Sequence, residues 1–336
     1  MDKNIKQRLI AKLRKGKIDL EELSSEVDIN KRELRVYLKE LKDSGVQLLS
    51  TTSYIDKKQL FYVPILPDIG NVFFISGDDR KQHTMHFAAT SDIHFGSVFH
   101  LPKTFNEALK KTEDVGIKDV FIAGDIVDGF GIYKGHHENL ITPSIEGQTD
   151  IAAETFSKYP NLRFWADAGN HDYSYTQQNG AKPLSILEAK LDNFHNLGDF
   201  RADVIMNGIR IRLLHGAGNR AYARSYPSQQ YLRDYFGGLE REQLTEVPHI
   251  IIIGHYHTYY QGKDHGIHIL QCGSFQDGDN EYCVRRGLTG PAGLFHVELD
   301  HHSGIIDEFR TNYIQPTIAS KEKGSMFAKT TKNYKR

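Results

Sequence analysis

One local pattern constrains this chain more than any other. A short apolar run of strand length ends abruptly in a cluster of Asp, His, Asn and Gly, and the pattern recurs five times. Met85 to Thr90 leads into Asp92-Ile93-His94, and Asp119 to Ala123 into Gly124-Asp125-Ile126-Val127-Asp128. Leu162 to Ala168 leads into Gly169-Asn170-His171-Asp172, Ile209 to Leu214 into His215-Gly216, and His249 to Ile253 into Gly254-His255-Tyr256-His257. A sixth run, Gly266 to Gln271, follows. Strands alternating with helical segments predict an α/β or mixed sandwich covered by helices. Polar clusters at the carboxyl ends of strands are where such sheets put their chemistry.

The residue types narrow that chemistry. Imidazole and carboxylate together suit divalent first-row metals, and a carboxylate can join two ions where an imidazole cannot. The chain holds 17 histidines, several in pairs one residue apart, which points the same way. One such cluster alone would be read as a cap or turn. Five in order, each behind a strand, are not so easily read, and point to metal.

The remaining sequence sets the surroundings. A net charge of -1 excludes a protein held to nucleic acid or membrane by gross positive charge, so any polyanion contact must be a local patch. Only two cysteines occur, Cys272 and Cys283, with no apolar run of membrane-spanning length and no apolar stretch near the N-terminus. A chain in a reducing, cytoplasmic setting without membrane contact is the expectation.

Residues 1–64 read differently. A helix is predicted over Asn4 to Lys15, and a second one follows an N-capping Asp19, with Leu20, Leu23 and Val27 on one face. Asn30 can cap a third, Lys31 to Asp43, whose Leu34, Leu38 and Leu41 share a face, while Lys31, Arg32, Arg35 and Lys39 point outward. Gly45 stops it, and two strands, Val46 to Thr51 and Gln59 to Val63, flank a turn at Asp56-Lys57-Lys58. This is a winged helix-turn-helix pattern, which sets its last helix in a DNA major groove, with the four basic residues as DNA contacts. Small helical units of this kind also serve as protein docking modules. Residues 65–81 read as a linker with one strand, Val72 to Ser76. The sandwich domain is expected over 82–311, and 312–336 as a basic, flexible tail.

In order, the five clusters (DxH, GDxxD, GNHD, H and GHxH) resemble the calcineurin-like metallophosphoesterases, over about Met85 to Val297. That resemblance implies a four-layer α/β/β/α sandwich holding two divalent ions, with manganese expected and iron or zinc as substitutes. Asp92, His94, Asp125 and His257 would hold one, and Asp125, Asn170, His215 and His255 the other, Asp125 bridging. Ions roughly 3.5–4 Å apart clamp a phosphoryl group and lower the pKa of a water between them. His171 resembles the family's general acid, with Asp172 expected to orient its ring and Asp128 to support the site from behind. His136, His137, His195, His301 and His302 lie outside the motifs and are expected on the surface. Tyr133, Tyr256 and Tyr259 are candidates for stacking on a base, or for ordinary packing.

The loop Asp125 to Gly135, with Gly273-Ser274-Phe275-Gln276 and Gly290-Pro291-Ala292-Gly293, is similar to the exonuclease small subunit of archaeal D-family DNA polymerase. This implies a metal-dependent 3′-5′ nuclease acting on DNA. That subunit carries an oligonucleotide-binding barrel where this chain has a winged-helix pattern, so polymerase partnership is not carried over. Two alternatives stay open. One is a phosphatase or nucleotide phosphodiesterase with a docking module; the other is a DNA-binding regulator with a non-catalytic phosphoesterase domain.

Overall fold

The computed structural model describes residues 5, 8–9, 12–13, 18–43, 49–52, 58–62, 72–75, 83–218, 223–238, 247–278, 284, 290–302 and 304–316. The chain divides into two compact units, with the main division between Gly70 and Asn71.

In the first unit, β1 (Ile18–Asp19), α1 (Leu20–Val27), α2 (Lys31–Asp43), β2 (Leu49–Thr52) and β3 (Gln59–Tyr62) follow in order. The Asp19 carboxylate accepts from the Glu21 and Glu22 amides, each at 2.8 Å, and so caps α1. Asn30 Oδ1 accepts from the Glu33 amide at 3.0 Å and does the same for α2. The strands form an antiparallel sheet of order β1-β3-β2. Leu9, Leu13, Leu23, Val27, Leu34, Leu38 and Leu41 make a separate small core. The helix expected over Asn4 to Lys15 lies partly outside the described residues. The turn at Asp56-Lys57, Gly45, Cys283 and residues 317–336 of the expected tail lie outside them, whereas Asn312 to Ile314, placed in the tail by sequence, belong to the last strand of the sandwich, Ile305–Ile314.

The second unit is built on two six-stranded sheets. In chain order its elements are β4 (Val72–Ile75), β5 (Thr84–Thr90), α3 (Pro102–Asp114), β6 (Asp119–Ala123), α4 (Ile145–Phe156), β7 (Arg163–Ala168), α5 (Asn170–Asn179), α6 (Pro183–Lys190), β8 (Phe194–Asp199), β9 (Arg201–Met206), β10 (Ile209–His215), α7 (Tyr226–Gly238), β11 (Ile250–Gly254), β12 (Tyr260–Asp264), β13 (Ile267–Gln271), β14 (Leu294–His302) and β15 (Ile305–Ile314). One sheet runs β15-β14-β5-β6-β7-β8 and the other β12-β13-β11-β10-β9-β4. Phe87, Phe121, Val204, Ile211, Leu213, Ile252 and Phe295 fill the space between them. Residues of α3, α4 and α6 cover the outer face of the first sheet, through Phe105, Phe156 and Leu187. Leu232 of α7 covers the outer face of the second, against Ile251 and Ile253. The result is the expected mixed α/β sandwich of two sheets between helices.

One expectation is corrected here. Val72–Ile75 is not part of a linker: it pairs in parallel with β9 and forms an edge strand of the second sheet.

The parallel strands β5, β6 and β7 end side by side in one sheet, and β10 and β11 end side by side in the other. Five polar clusters separated in sequence are thereby delivered to one end of the sandwich.

Candidate metal centre

Three of the five clusters turn sharply as they leave their strands. Asp92, His94, Asp125, His255 and His257 all have positive φ, between 52° and 85°. Left-handed backbone is unfavourable for non-glycine residues and concentrates at functional sites, where packing enforces it. Glycines let the turns close on one another. At Gly169 a Cβ would stand 2.2 Å from Asp125 Oδ1, and at Gly124 one would stand 2.3 Å from His215 Nδ1. No side chain fits at either position.

The donors converge in two groups. In the first, His94 Nε2 lies 3.2 Å from His257 Nε2, and Asp92 Oδ1 lies 3.3 Å from His257 Nε2 and 4.0 Å from His94 Nε2. In the second, His215 Nε2 lies 3.2 Å from Asp125 Oδ2 and 3.1 Å from Asn170 Oδ1, which is 3.0 Å from His255 Nδ1. Donors about 2.1 Å from a shared ion stand about 3.0–3.4 Å apart at octahedral or tetrahedral angles, so this donor set fits a bound divalent cation. All seven residues singled out as ligands in the sequence fall in these two groups. Asp125 groups with the second.

The backs of the imidazoles are held. His215 Nδ1 is 2.9 Å from the Ala123 carbonyl, His255 Nε2 is 2.9 Å from the Gly218 carbonyl, and His94 Nδ1 is 2.9 Å from Asp128 Oδ1. Such partners fix which ring nitrogen is free to bind a metal. Asp92 also accepts the His255 amide, at 2.9 Å, so two of the clusters are bonded to each other.

The site is polarised by its own charges. Burial raises the cost of charging Asp92 and Asp125, yet His257 beside the first, and His215 and His171 beside the second, hold both below the usual carboxylate range. Burial likewise opposes a charge on His215, but Asp125 outweighs it and pushes the imidazole up to about 10. Burial depresses His171 to about 4, against the pull of Asp125. In the metal-free site His171 is therefore neutral.

Asp172 has a different role from the one expected. Its carboxylate accepts from the amides of Ile126, Val127 and Gly169, at 3.1, 2.9 and 2.8 Å, and stitches the loop after β6 to the start of α5. Burial, with Asp125 adding to it, pushes its pKa up to about 7. The ring of His171 is oriented instead by Asp128, whose carbonyl lies 2.6 Å from His171 Nδ1.

Among the histidines expected on the surface, His137 and His302 are exposed, as the sequence predicts. His136 is not: it is buried, with Nε2 3.3 Å from Asp128 Oδ2. His301 is buried too, and His195 is half-buried, stacked on Trp165. Tyr259 stacks on Tyr313 at 4.3 Å, Tyr256 donates to the Ala217 carbonyl, and Tyr133 packs on His136, so all three have packing partners.

The sequence assigns no role to two residues of the site: Gln276, whose amide reaches Asp128 Oδ1 at 3.3 Å, and Asp167 on β7. Asp167 is fully buried, both its oxygens lack hydrogen-bond partners among the described residues, and burial raises its pKa well above the carboxylate range. Gln276 closes the segment Gly273-Ser274-Phe275-Gln276, which gives it no role, and Asp167 stands in no motif; long-range packing brings both to the site. Lys31, Arg32, Arg35 and Lys39 are all exposed on α2, as expected, with Lys31 paired to Glu21.

Comparison with known proteins agrees with this geometry. The calcineurin-like phosphoesterase family model matches residues 85–285, more than half of the chain. The DNA polymerase II small subunit of Archaeoglobus fulgidus is 26% identical over 273 residues, covering 69% of this chain and 54% of that protein. Its counterpart from Thermoplasma acidophilum is 23% identical over 302 residues, covering 81% of this chain and 61% of that protein. The chain thus spans only about half to three fifths of the length of these relatives. Among solved structures, an archaeal phosphodiesterase aligns with 68% of this chain and 100% of its own at 15% identity, with a TM-score of 0.39. The chain belongs to the calcineurin-like phosphoesterase family and is a metal-dependent phosphoesterase.

Proposed function

We propose that this chain is a two-metal phosphodiesterase whose substrate is DNA, a nuclease of 3′-5′ exonuclease type. The observation that carries the reading is the pair of donor groups at the strand ends, seven side chains from five clusters, each with a donor atom within 3.3 Å of another in its group. Asp92, His94 and His257 would hold one ion and Asn170, His215 and His255 the other, with Asp125 between them. Manganese is the ion we assign; iron or zinc would suit the same donors. Such ions, when bound, supply Lewis-acid charge and activate a water at neutral pH.

The protein's own groups do the rest. The amide at the start of α5 donates to Asp125 Oδ1 from His171 N at 2.8 Å and fixes that carboxylate's second oxygen towards His215. His171 Nδ1 donates to the Asp128 carbonyl, which leaves Nε2 to take a proton from solvent when an anionic phosphoryl group arrives and to pass it to the leaving oxygen.

Two observations favour DNA over a small diester. The relatives carry the name of a DNA polymerase subunit, and α2 of the N-terminal unit carries exposed Lys31, Arg32, Arg35 and Lys39. Two helices followed by a hairpin, with β1 completing the sheet, support reading residues 1–64 as a winged-helix module with α2 towards DNA.

The test is manganese-dependent cleavage of end-labelled single- and double-stranded DNA by the purified chain, with His94→Ala and bis-p-nitrophenyl phosphate alongside. Laddered products that vanish in His94→Ala are expected, and the ladder gives the polarity. Hydrolysis of the small diester with DNA left intact would overturn the DNA substrate and favour a nucleotide or phosphoprotein.

A further inference from the structure

We infer that His136 is a positioning residue for the metal centre: it fixes the Asp128 carboxylate, which in turn sets the rings of His94 and His171. The inference rests on the two-metal reading above and is independent of the DNA substrate. His136 opens a 3-10 turn, His136–Asn139, entered through Gly135 in left-handed backbone at φ 86°. That turn carries the ring inward until only 1% of the residue is exposed, perpendicular to the His171 ring with the two centroids 5.7 Å apart. The Ile132 amide donates to His136 Nδ1 at 3.4 Å, so the ring proton sits on Nε2 and points at Asp128 Oδ2, 3.3 Å away.

Asp128 is a buried carboxylate with every arm occupied. Oδ2 accepts from His136, Oδ1 accepts from His94 Nδ1 and from Gln276, and its carbonyl accepts from His171 Nδ1. His94 must keep its proton on Nδ1 and donate it in a hydrogen bond to Asp128 if its Nε2 is to face the metal with a lone pair. A carboxylate held at one oxygen only is free to swing about its Cβ–Cγ bond. One held at both oxygens keeps that acceptor in place. His136 supplies the second hold, and no member of the donor groups touches it in that role.

Four variants of the full-length chain separate this from a packing role. His136→Leu removes the donor at similar volume. His136→Gln keeps an amide N–H near the position of Nε2, whereas His136→Asn carries one only near Nδ1, short of Asp128. Asp128→Ala removes the carboxylate. The readouts are manganese affinity by calorimetry, kcat and KM for bis-p-nitrophenyl phosphate at saturating manganese, and the thermal melting curve.

We expect His136→Leu and His136→Asn to weaken manganese binding and kcat by about tenfold each, with KM little changed, and His136→Gln to keep most of both. On the Asp128→Ala background, His136→Asn should add no further loss, because the two residues act in series. Wild-type affinity and kcat in His136→Asn would overturn the inference, as would a loss that adds in full on Asp128→Ala or is not relieved by Gln. If His136→Leu does not fold, the comparison of Asn with Gln decides. An unsubstituted chain that binds no manganese overturns the two-metal reading itself, and this inference with it.

Discussion

At the scale of single residues, the site is a set of histidines whose protonation is decided by their neighbours. His215 is held to about 10 in the metal-free protein by Asp125, although burial opposes the charge. Its Nε2 must be bare to bind a metal, so binding expels a proton. The sign follows: raising the pH favours the metal-bound form, and manganese affinity should rise by about tenfold per pH unit between pH 6 and 8 for one proton released. Calorimetry in buffers of different ionisation enthalpy counts that proton, and a pH-independent affinity would contradict it. His171 is the opposite case, neutral because burial holds it near 4. His171→Ala should therefore leave manganese binding within a few-fold of the wild type while lowering kcat by roughly 10²–10⁴-fold. Loss of metal instead would move His171 among the ligands. These residues are legible in the sequence because each sits within a few positions of a strand end. Their partners are not. His136, Gln276 and Asp167 meet the site only through turns and sheet packing, and nothing in the local sequence of His136 separates it from its exposed neighbour His137.

At the scale of elements, legibility follows apolar content. β5, β6, β7, β10, β11 and β13 are close to wholly buried along at least half their length, so each reads as an apolar run. β12, with Tyr-Gln-Gly-Lys-Asp, and β15 lie at sheet edges and bury little, so they carry no such run. β4 is apolar but flanks the N-terminal unit in sequence, which is why sequence alone places it in a linker; its pairing with β9 assigns it to the sandwich. Between these strands the loops are tied by side chains, Asp172 among them. Its three amide hydrogen bonds join the loop after β6 to the N-terminus of α5, where a carboxylate also meets the positive end of the helix. Asp172→Ala would strand buried amides at a cost of about 1–3 kcal/mol or more. For a chain of this size that is a fall in melting temperature of roughly 2–8 °C. Because the same loop carries Asp125, manganese affinity should fall as well. An unchanged melting temperature would show that water replaces the carboxylate.

At the scale of the whole molecule, the question is what residues 1–64 contribute to a phosphoesterase whose ligands all lie beyond them. The net charge is -1, so long-range attraction cannot bring a polyanion to the site, and affinity for DNA must come from a local cluster. Arg32, Arg35 and Lys39 are exposed along α2, while Leu34, Leu38 and Leu41 are buried beneath them. They can be reversed together without disturbing that small core. The full chain carrying Arg32→Glu, Arg35→Glu and Lys39→Glu should hydrolyse bis-p-nitrophenyl phosphate at the wild-type rate, since a small diester needs only the metal centre. Its binding to duplex DNA should weaken, and the slope of log affinity against log salt should become shallower by about 0.9 for each phosphate that the helix no longer neutralises. A shallower slope with intact small-diester turnover assigns α2 to the phosphate backbone and divides recognition from chemistry between the two units. An unchanged slope with unchanged turnover would leave α2 a solvated face and the N-terminal unit a docking module for protein.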